Sequence, residues 1–199
     1  MISITLLLIV LNIAITLLAL YWNEKIFDVG MLRPYRMFRK GTWYEVITSG
    51  FLHAGISHLL VNMFVLFFFG TVMEQVLGPV HFLALYFSAL IFSSIPSLIQ
   101  HKDNPEYATI GASGAVEAVL FSYIFVFPTE KLMLILLPIP IPAWIFGILF
   151  LVYSVYEGRR GKGNVNHGAH IAGALWGILY LIFFVPNSVD HILTIFGWV

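Results

Sequence analysis

Six stretches of this chain are each apolar and long enough, or nearly so, to cross a lipid bilayer as a helix, and this constrains the fold more than any motif. They cover, to within fuzzy ends, residues 2–22, 58–77, 80–100, 112–128, 131–156 and 168–186. A hydrocarbon core roughly 30 Å thick needs about 20 mostly apolar residues in helical form. Inside lipid every backbone N–H and C=O must find its partner within the protein, which favours helices for separate runs of this length. Composition agrees: 60% of the 199 residues are hydrophobic and 10% are charged, where soluble domains carry roughly 45–50% and 25%. So few charges could not cover a water-facing surface. The expected fold is an all-α integral membrane protein, a bundle of six transmembrane helices, with residues 1–199 as a single membrane domain.

The connections carry their own signals. The second and third spans are separated only by Gly78-Pro79, a tight turn. The fourth is short and opens on small residues, from Gly111 to Ala115. The fifth carries Pro138, Pro140 and Pro142, so it should start late, kink or contain a non-helical stretch. The run from Ile2 to Tyr21 has no basic start and no small-x-small site after it, which favours an uncleaved helix over a removed signal. In the long connection 23–57, aromatic and apolar residues alternate with Arg33, Arg36, Arg39 and Lys40. That pattern suits an element folded into the membrane interface, and equally an ordinary amphipathic loop. The tail 187–199 is too short to span and belongs at the interface, with Trp198 as an aromatic anchor.

Ten basic residues balance ten acidic ones, so nothing marks a nucleic-acid footprint. With no cysteine, thiol catalysis, disulfides and Cys-based metal sites are excluded. No repeat or low-complexity segment is visible.

Polar side chains inside a membrane are costly unless paired, so they mark functional candidates. His58 and Asn62 are four apart and share one face of the second span; Ser113 and Glu117 share one face of the fourth; His170 lies near the start of the sixth. Successive spans alternate direction, so the starts of the second, fourth and sixth lie at the same membrane surface. Side chains from three helices can therefore meet in one layer. Ala169, Gly173 and Gly177 recur every four residues beside His170, and Gly114 and Ala118 do so beside Ser113. Small residues at this interval let helix backbones approach closely.

A Ser and a His within hydrogen-bond reach make an activated nucleophile, the His taking the hydroxyl proton and later returning it to the leaving amine. The developing oxyanion needs donors, for which the Ser113 N–H, the Asn62 amide and His58 are candidates. No Asp is placed to orient His170, so the expected catalytic pair is a Ser113–His170 dyad. Each residue also has a plainer reading. A membrane Ser commonly bonds back to its own helix, His170 could bridge helices, and His58 and Asn62 could be packing polars. Glu74 falls at the far end of the second span and His53 reads as loop structure. His53, His58, His167 and His170 lack a tight metal-ligand spacing, so no metal is expected.

Together these residues resemble the rhomboid family of intramembrane proteases, of the bacterial six-helix type. Gly111-Ala112-Ser113-Gly114 is similar to the family's G-x-S-G around the nucleophile. Gly168-Ala169-His170-Ile171-Ala172-Gly173, with the later Gly177, is similar to the motif around the catalytic His. His58 and Asn62 match the H-x-x-x-N of the oxyanion region, His53 and Glu74 fall where the family often has His and Glu, and the match covers spans two to six. Two positions depart from the pattern. Tyr44 stands where Arg commonly follows Trp, and Glu117 stands where an aromatic or apolar residue commonly packs on the catalytic His. Glu117 could bond His170 and raise its basicity, or be neutral and structural; Gly111 and Gly173 support the site from behind.

The resemblance implies cleavage of single-span transmembrane protein substrates within the lipid bilayer, by a serine endopeptidase without a cofactor, in a water-filled cavity. Two other readings stand beside it: a catalytically inactive relative that binds membrane clients, and a small transporter, which the prolines of the fifth span favour weakly. Small-residue helix faces serve contacts within a chain as well as between copies, so they set no oligomeric state. Basic residues count against the family's orientation. Nine of the ten Lys and Arg fall after spans one, three and five, with Lys131 alone opposite, and the positive-inside rule would turn the active-site surface to the cytoplasm. The resemblance implies the reverse, the cell membrane with the active site on the extracytoplasmic side, and that is the expectation adopted.

Overall fold

The structure is a computed structural model that describes residues 3–134, 137–160 and 165–198. Ile2, Lys162, Val199 and residues 135–136 of the expected fifth span lie outside the described residues. The chain is mainly helical, as expected of an all-α membrane protein. Among the described residues three helices are long and apolar enough to cross a membrane, Ile4–Tyr21, Ile56–His101 and His167–Phe184, and Ser113–Val126 is apolar but shorter.

Helix α1, Ile4–Tyr21, begins with the Ser3 side chain accepting from Leu6 N–H. It is then held from across the fold. The Glu74 carboxylate accepts from Ile4 N at 2.7 Å, Ser3 Oγ at 2.8 Å, Thr5 N at 2.9 Å and Thr5 Oγ1 at 2.7 Å. A helix N-terminus exposes N–H groups without intrahelical partners, so one carboxylate stabilises several at once.

The connection 23–57 is folded. It contains α2 (Lys25–Gly30), α3 (Pro34–Lys40), α4 (Glu45–Thr48) and a 3₁₀ turn, Ser49–Phe51. Pro34 starts α3 at a position that needs no N–H, and Gly41 ends it at φ 71°. Glu45, fully buried, accepts from Arg33 N and Arg36 Nε, each at 2.7 Å. The Arg33 guanidinium also donates to Asp28 O at 2.7 Å, so two of the arginines in the basic first loop serve its internal structure. Phe38 and Trp43 pack edge to face on its outside and stay half exposed, as an interfacial element would leave them.

The second and third expected spans correspond to α5 (Ile56–Val65), a π-helical turn at Leu66–Gly70, and α6 (Thr71–His101). The chain reverses within α6 at Gly78, φ 74°, immediately before Pro79. The reversal shows in the packing: a Cβ on Gly70 would lie 3.4 Å from Phe82 Cζ, residues that a straight helix would hold about 18 Å apart. The core forms where α1, both arms of this hairpin, α7 (Ser113–Val126) and α9 (His167–Phe184) meet, around Leu66, Met73, Phe82, Tyr86, Ala115 and Val119.

The expected fifth span, 131–156, is where structure and expectation part most. Its first half is an antiparallel pair, β1 (Lys131–Leu134) and β2 (Leu137–Pro142), and α8 begins only at Ala143 and runs to Arg160. Proline lacks the N–H that a helix interior requires but is tolerated in a short edge strand. Hydropathy alone did not separate the strands from the helix. The tail forms α10, Ser188–Ile195, with Trp198 exposed beyond it.

Candidate active site

The segment leading into α7 is fixed before the helix begins. Leu32 and Thr109 exchange N–H···O bonds of 3.1 and 3.0 Å, and Gly111 N donates to Ser49 O at 3.0 Å. The folded first loop thus holds the segment that delivers Ser113. Gly111 has φ 133°, and a Cβ there would lie 2.8 Å from His58 Cε1. Both the backbone angle and the approach of the imidazole require glycine.

His53 closes the other side of this turn. Its ring is fully buried, with Nδ1 3.1 Å from Thr16 Oγ1 and Nε2 accepting from Ala112 N at 3.5 Å. Thr16 Oγ1 donates to Phe51 O at 3.2 Å, so it is free to accept, and the Nδ1–H tautomer of His53 satisfies every contact. Burial, and secondarily the neighbouring His58, push its pKa from 6.5 down to about 3. His53 is a neutral strut between α1 and the residue before Ser113, more than the loop residue its sequence context suggests.

Ser113 is the first residue of α7. It has no preceding helical turn to bond back to, which removes the commonest alternative use of a membrane serine. The first backbone N–H groups of α7 have no intrahelical partner, and a helix N-terminus favours developing negative charge. Ser113, His58, Asn62, Gly111, Glu117 and His170 all line one cavity of about 530 Å³. Ser113 and His170 share it without a hydrogen bond between them among the described residues.

Helix α9 is brought against α7 by its glycines. A Cβ on Gly173 would collide with the Gly114 carbonyl, and one on Gly177 with the Ala118 carbonyl. The ring of His170 stacks beside Phe150 of α8, centroids 6.3 Å apart and planes 13° from parallel, with His167 at 6.0 Å. An aromatic neighbour for His170 thus comes from α8, while Glu117 occupies the α7 position expected to supply one. Glu117 makes no hydrogen bond or ion pair with His170 among the described residues, and its Oε2 is buried without a partner. Asn62 Nδ2 donates to His58 O at 2.9 Å, one turn back, its one side-chain hydrogen bond among the described residues, and Asn62 lines the cavity.

Asn166, not singled out from the sequence, holds the start of α9. Its Oδ1 accepts from Ala169 N at 3.1 Å and its backbone carbonyl from His170 N at 3.2 Å. Its Nδ2 donates to Ser97 Oγ at 2.8 Å, with Tyr107 OH at 3.3 Å and Thr109 Oγ1 at 3.4 Å. The sequence signal was present: an N-cap residue type directly before an apolar helix. Among the described residues no three His, Asp or Glu side chains gather closely enough to hold a metal ion.

Comparison with known proteins agrees with this architecture. The rhomboid domain profile matches residues 40–187. The chain is 29% identical to "RHOMBOID-like protein 12, mitochondrial" of Arabidopsis thaliana, over 84% of this chain and 54% of that protein. It is 30% identical to "Rhomboid protein 1, mitochondrial" of Saccharomyces cerevisiae, over 75% of this chain and 45% of that protein. It is also 30% identical to "Presenilin-associated rhomboid-like protein, mitochondrial" of Homo sapiens, over 69% of this chain and 37% of that protein. The chain therefore spans about half the length of these relatives or less.

These relatives correct one expectation. All three are mitochondrial proteins by name, which points away from the cell membrane and from the extracytoplasmic orientation inferred with it. The physical reason is simple: an apolar span meets the same hydrocarbon in many membranes, so span length and hydropathy specify a bilayer and not its compartment. With its profile match extending over most of its length, on a helical membrane fold, the chain belongs to the rhomboid family.

Proposed function

We propose that this protein is an intramembrane serine endopeptidase that cleaves single-span membrane proteins, with Ser113 as nucleophile and His170 as general base. One observation carries the reading: Ser113 at the head of α7, His170 of α9 and the donors His58 and Asn62 of α5 line a single cavity. In this mechanism Ser113 Oγ attacks the scissile carbonyl while His170 takes its proton. The oxyanion is met by the N–H groups at the start of α7, Asn62 and His58, which stabilise the charge as it develops. His170 then protonates the leaving amine, and water admitted to the cavity releases the acyl group by the same proton route.

The test uses the purified protein in liposomes with a model single-span substrate. The wild type should cleave it, and Ser113→Ala and His170→Ala should each abolish cleavage while inserting normally. The double variant should be no worse than the singles, because removing either partner disables the pair. Cleavage by Ser113→Ala at the wild-type rate would reject the assignment. A wild type that binds the substrate yet never cuts it would favour the non-catalytic client-binding reading.

A further inference from the structure

Glu117 is a carboxyl group inside the membrane fold for which the proposed chemistry has no use. It lies one turn along α7 from Ser113, on the same face. Side chains of an α-helix tilt toward its N-terminus, which directs this carboxyl back toward the level of Ser113. It lines the cavity that holds Ser113 and His170. Its Oε2 is buried and has no hydrogen-bond partner among the described residues. Val61, Val65 and Val116 provide apolar surface to the same cavity. An unmatched buried acceptor is destabilising, and a donor brought by a bound substrate would satisfy it.

We propose that Glu117 is a specificity-determining residue that receives a hydrogen bond from an amide or hydroxyl side chain of the substrate next to the scissile bond. The inference rests on the protease reading and names the substrate class for that same cavity. The partner must carry an N–H or O–H donor, since a carboxyl oxygen accepts in either protonation state. It must also be compact, because the carboxyl already reaches back toward the nucleophile. Threonine, asparagine and glutamine meet both conditions. Their apolar isosteres valine, leucine and methionine fill the same space and leave Glu117 unpaired. A site that desolvates a polar group discriminates strongly against an analogue that cannot satisfy it.

The experiment measures kcat/KM on single-span substrates in liposomes, identical except at the residue before or after the cleaved bond, with the cut mapped by mass spectrometry. At one of these positions the wild type should favour Thr over Val, Asn over Leu and Gln over Met by about tenfold or more. In Glu117→Met the ratios should fall to near one or invert, and in Glu117→Gln, which keeps a carbonyl acceptor, the preference should persist. Thermal unfolding of each variant is recorded alongside, and the wild-type ratios stand as a test even if Glu117→Met does not fold. Equal cleavage of donor and isostere by the wild type would overturn the proposal, as would a preference unchanged in Glu117→Met. If the wild type cleaves none of these substrates and a fluorophosphonate probe fails to label Ser113, it is the protease reading that falls, a result distinct from cleavage without preference.

Discussion

The Gly114 carbonyl packs directly against the bare Cα of Gly173, leaving no room for a side chain between α7 and α9. The same contact recurs one turn on, between the Ala118 carbonyl and Gly177. Ser113 precedes the first of these contacts and His170 lies one turn before Gly173. The separation of the two candidate catalytic residues is therefore set by two glycines that take no part in chemistry.

Enlarging Gly173 should prise this interface apart. Gly173→Val is expected to destabilise the protein by about 1–3 kcal/mol or more, the usual cost of overpacking, and to lose cleavage more completely than it loses fold. Gly173→Ala should lie between. Thermal unfolding and substrate cleavage on the same preparations test this; a Gly173→Val protein with wild-type activity would show that α7 and α9 need not be this close.

The oxyanion donors should reveal themselves in turnover. Asn62→Ala and His58→Ala are each expected to lower kcat by about 10²–10³, with a small change in KM, because the charge they meet exists only in the transition state. Asn62 also bonds its own helix through His58 O, so stability is measured in parallel. Wild-type kcat in both variants would reduce the pair to packing.

His53 should make the fold acid-sensitive. Its pKa is about 6.5 unfolded and about 3 in the native protein. Between these values the unfolded chain binds the extra proton, so the stability from burying neutral His53 is full above pH 6.5 and falls as pH drops toward 3. The loss approaches about 1.4 kcal/mol per pH unit within that window. His53→Gln keeps a donor and an acceptor without titrating. Its unfolding midpoint should fall less steeply from pH 7 to pH 4 than that of the wild type. Parallel slopes would show that the proton goes elsewhere.

Asn166 should act through His170. Asn166→Ala removes the cap of α9 and its ties to Ser97 and Tyr107, at a cost of about 1 kcal/mol from the cap alone. Lower kcat with little change in KM is expected, and Asn166→Ser, which can still cap, should recover part of it. A loss of stability with kcat intact would make Asn166 structural only.

Much of this is legible in the chain itself. The apolar runs define helices because lipid offers the backbone no other partner. The common depth of His58, Asn62, Ser113 and His170 follows from alternating span directions. The close meeting of α7 and α9 is written in small residues four apart. Pro138, Pro140 and Pro142 signalled that helix could not fill the whole fifth span. Where the helix would begin, at Ala143, depended on β1 and β2 pairing with each other.

Tertiary structure decided the rest, because it depends on partners distant in sequence. His53 becomes a strut only when Thr16 and Ala112 arrive on either side of it. Glu74 becomes the cap of a helix some seventy residues away. Phe150 takes a place beside His170 that the pattern around Ser113 assigned to α7. Glu117 is left without a partner because no other element brings it a donor among the described residues. A single chain's periodicity states which face a side chain is on; what waits opposite that face is settled by how the helices pack.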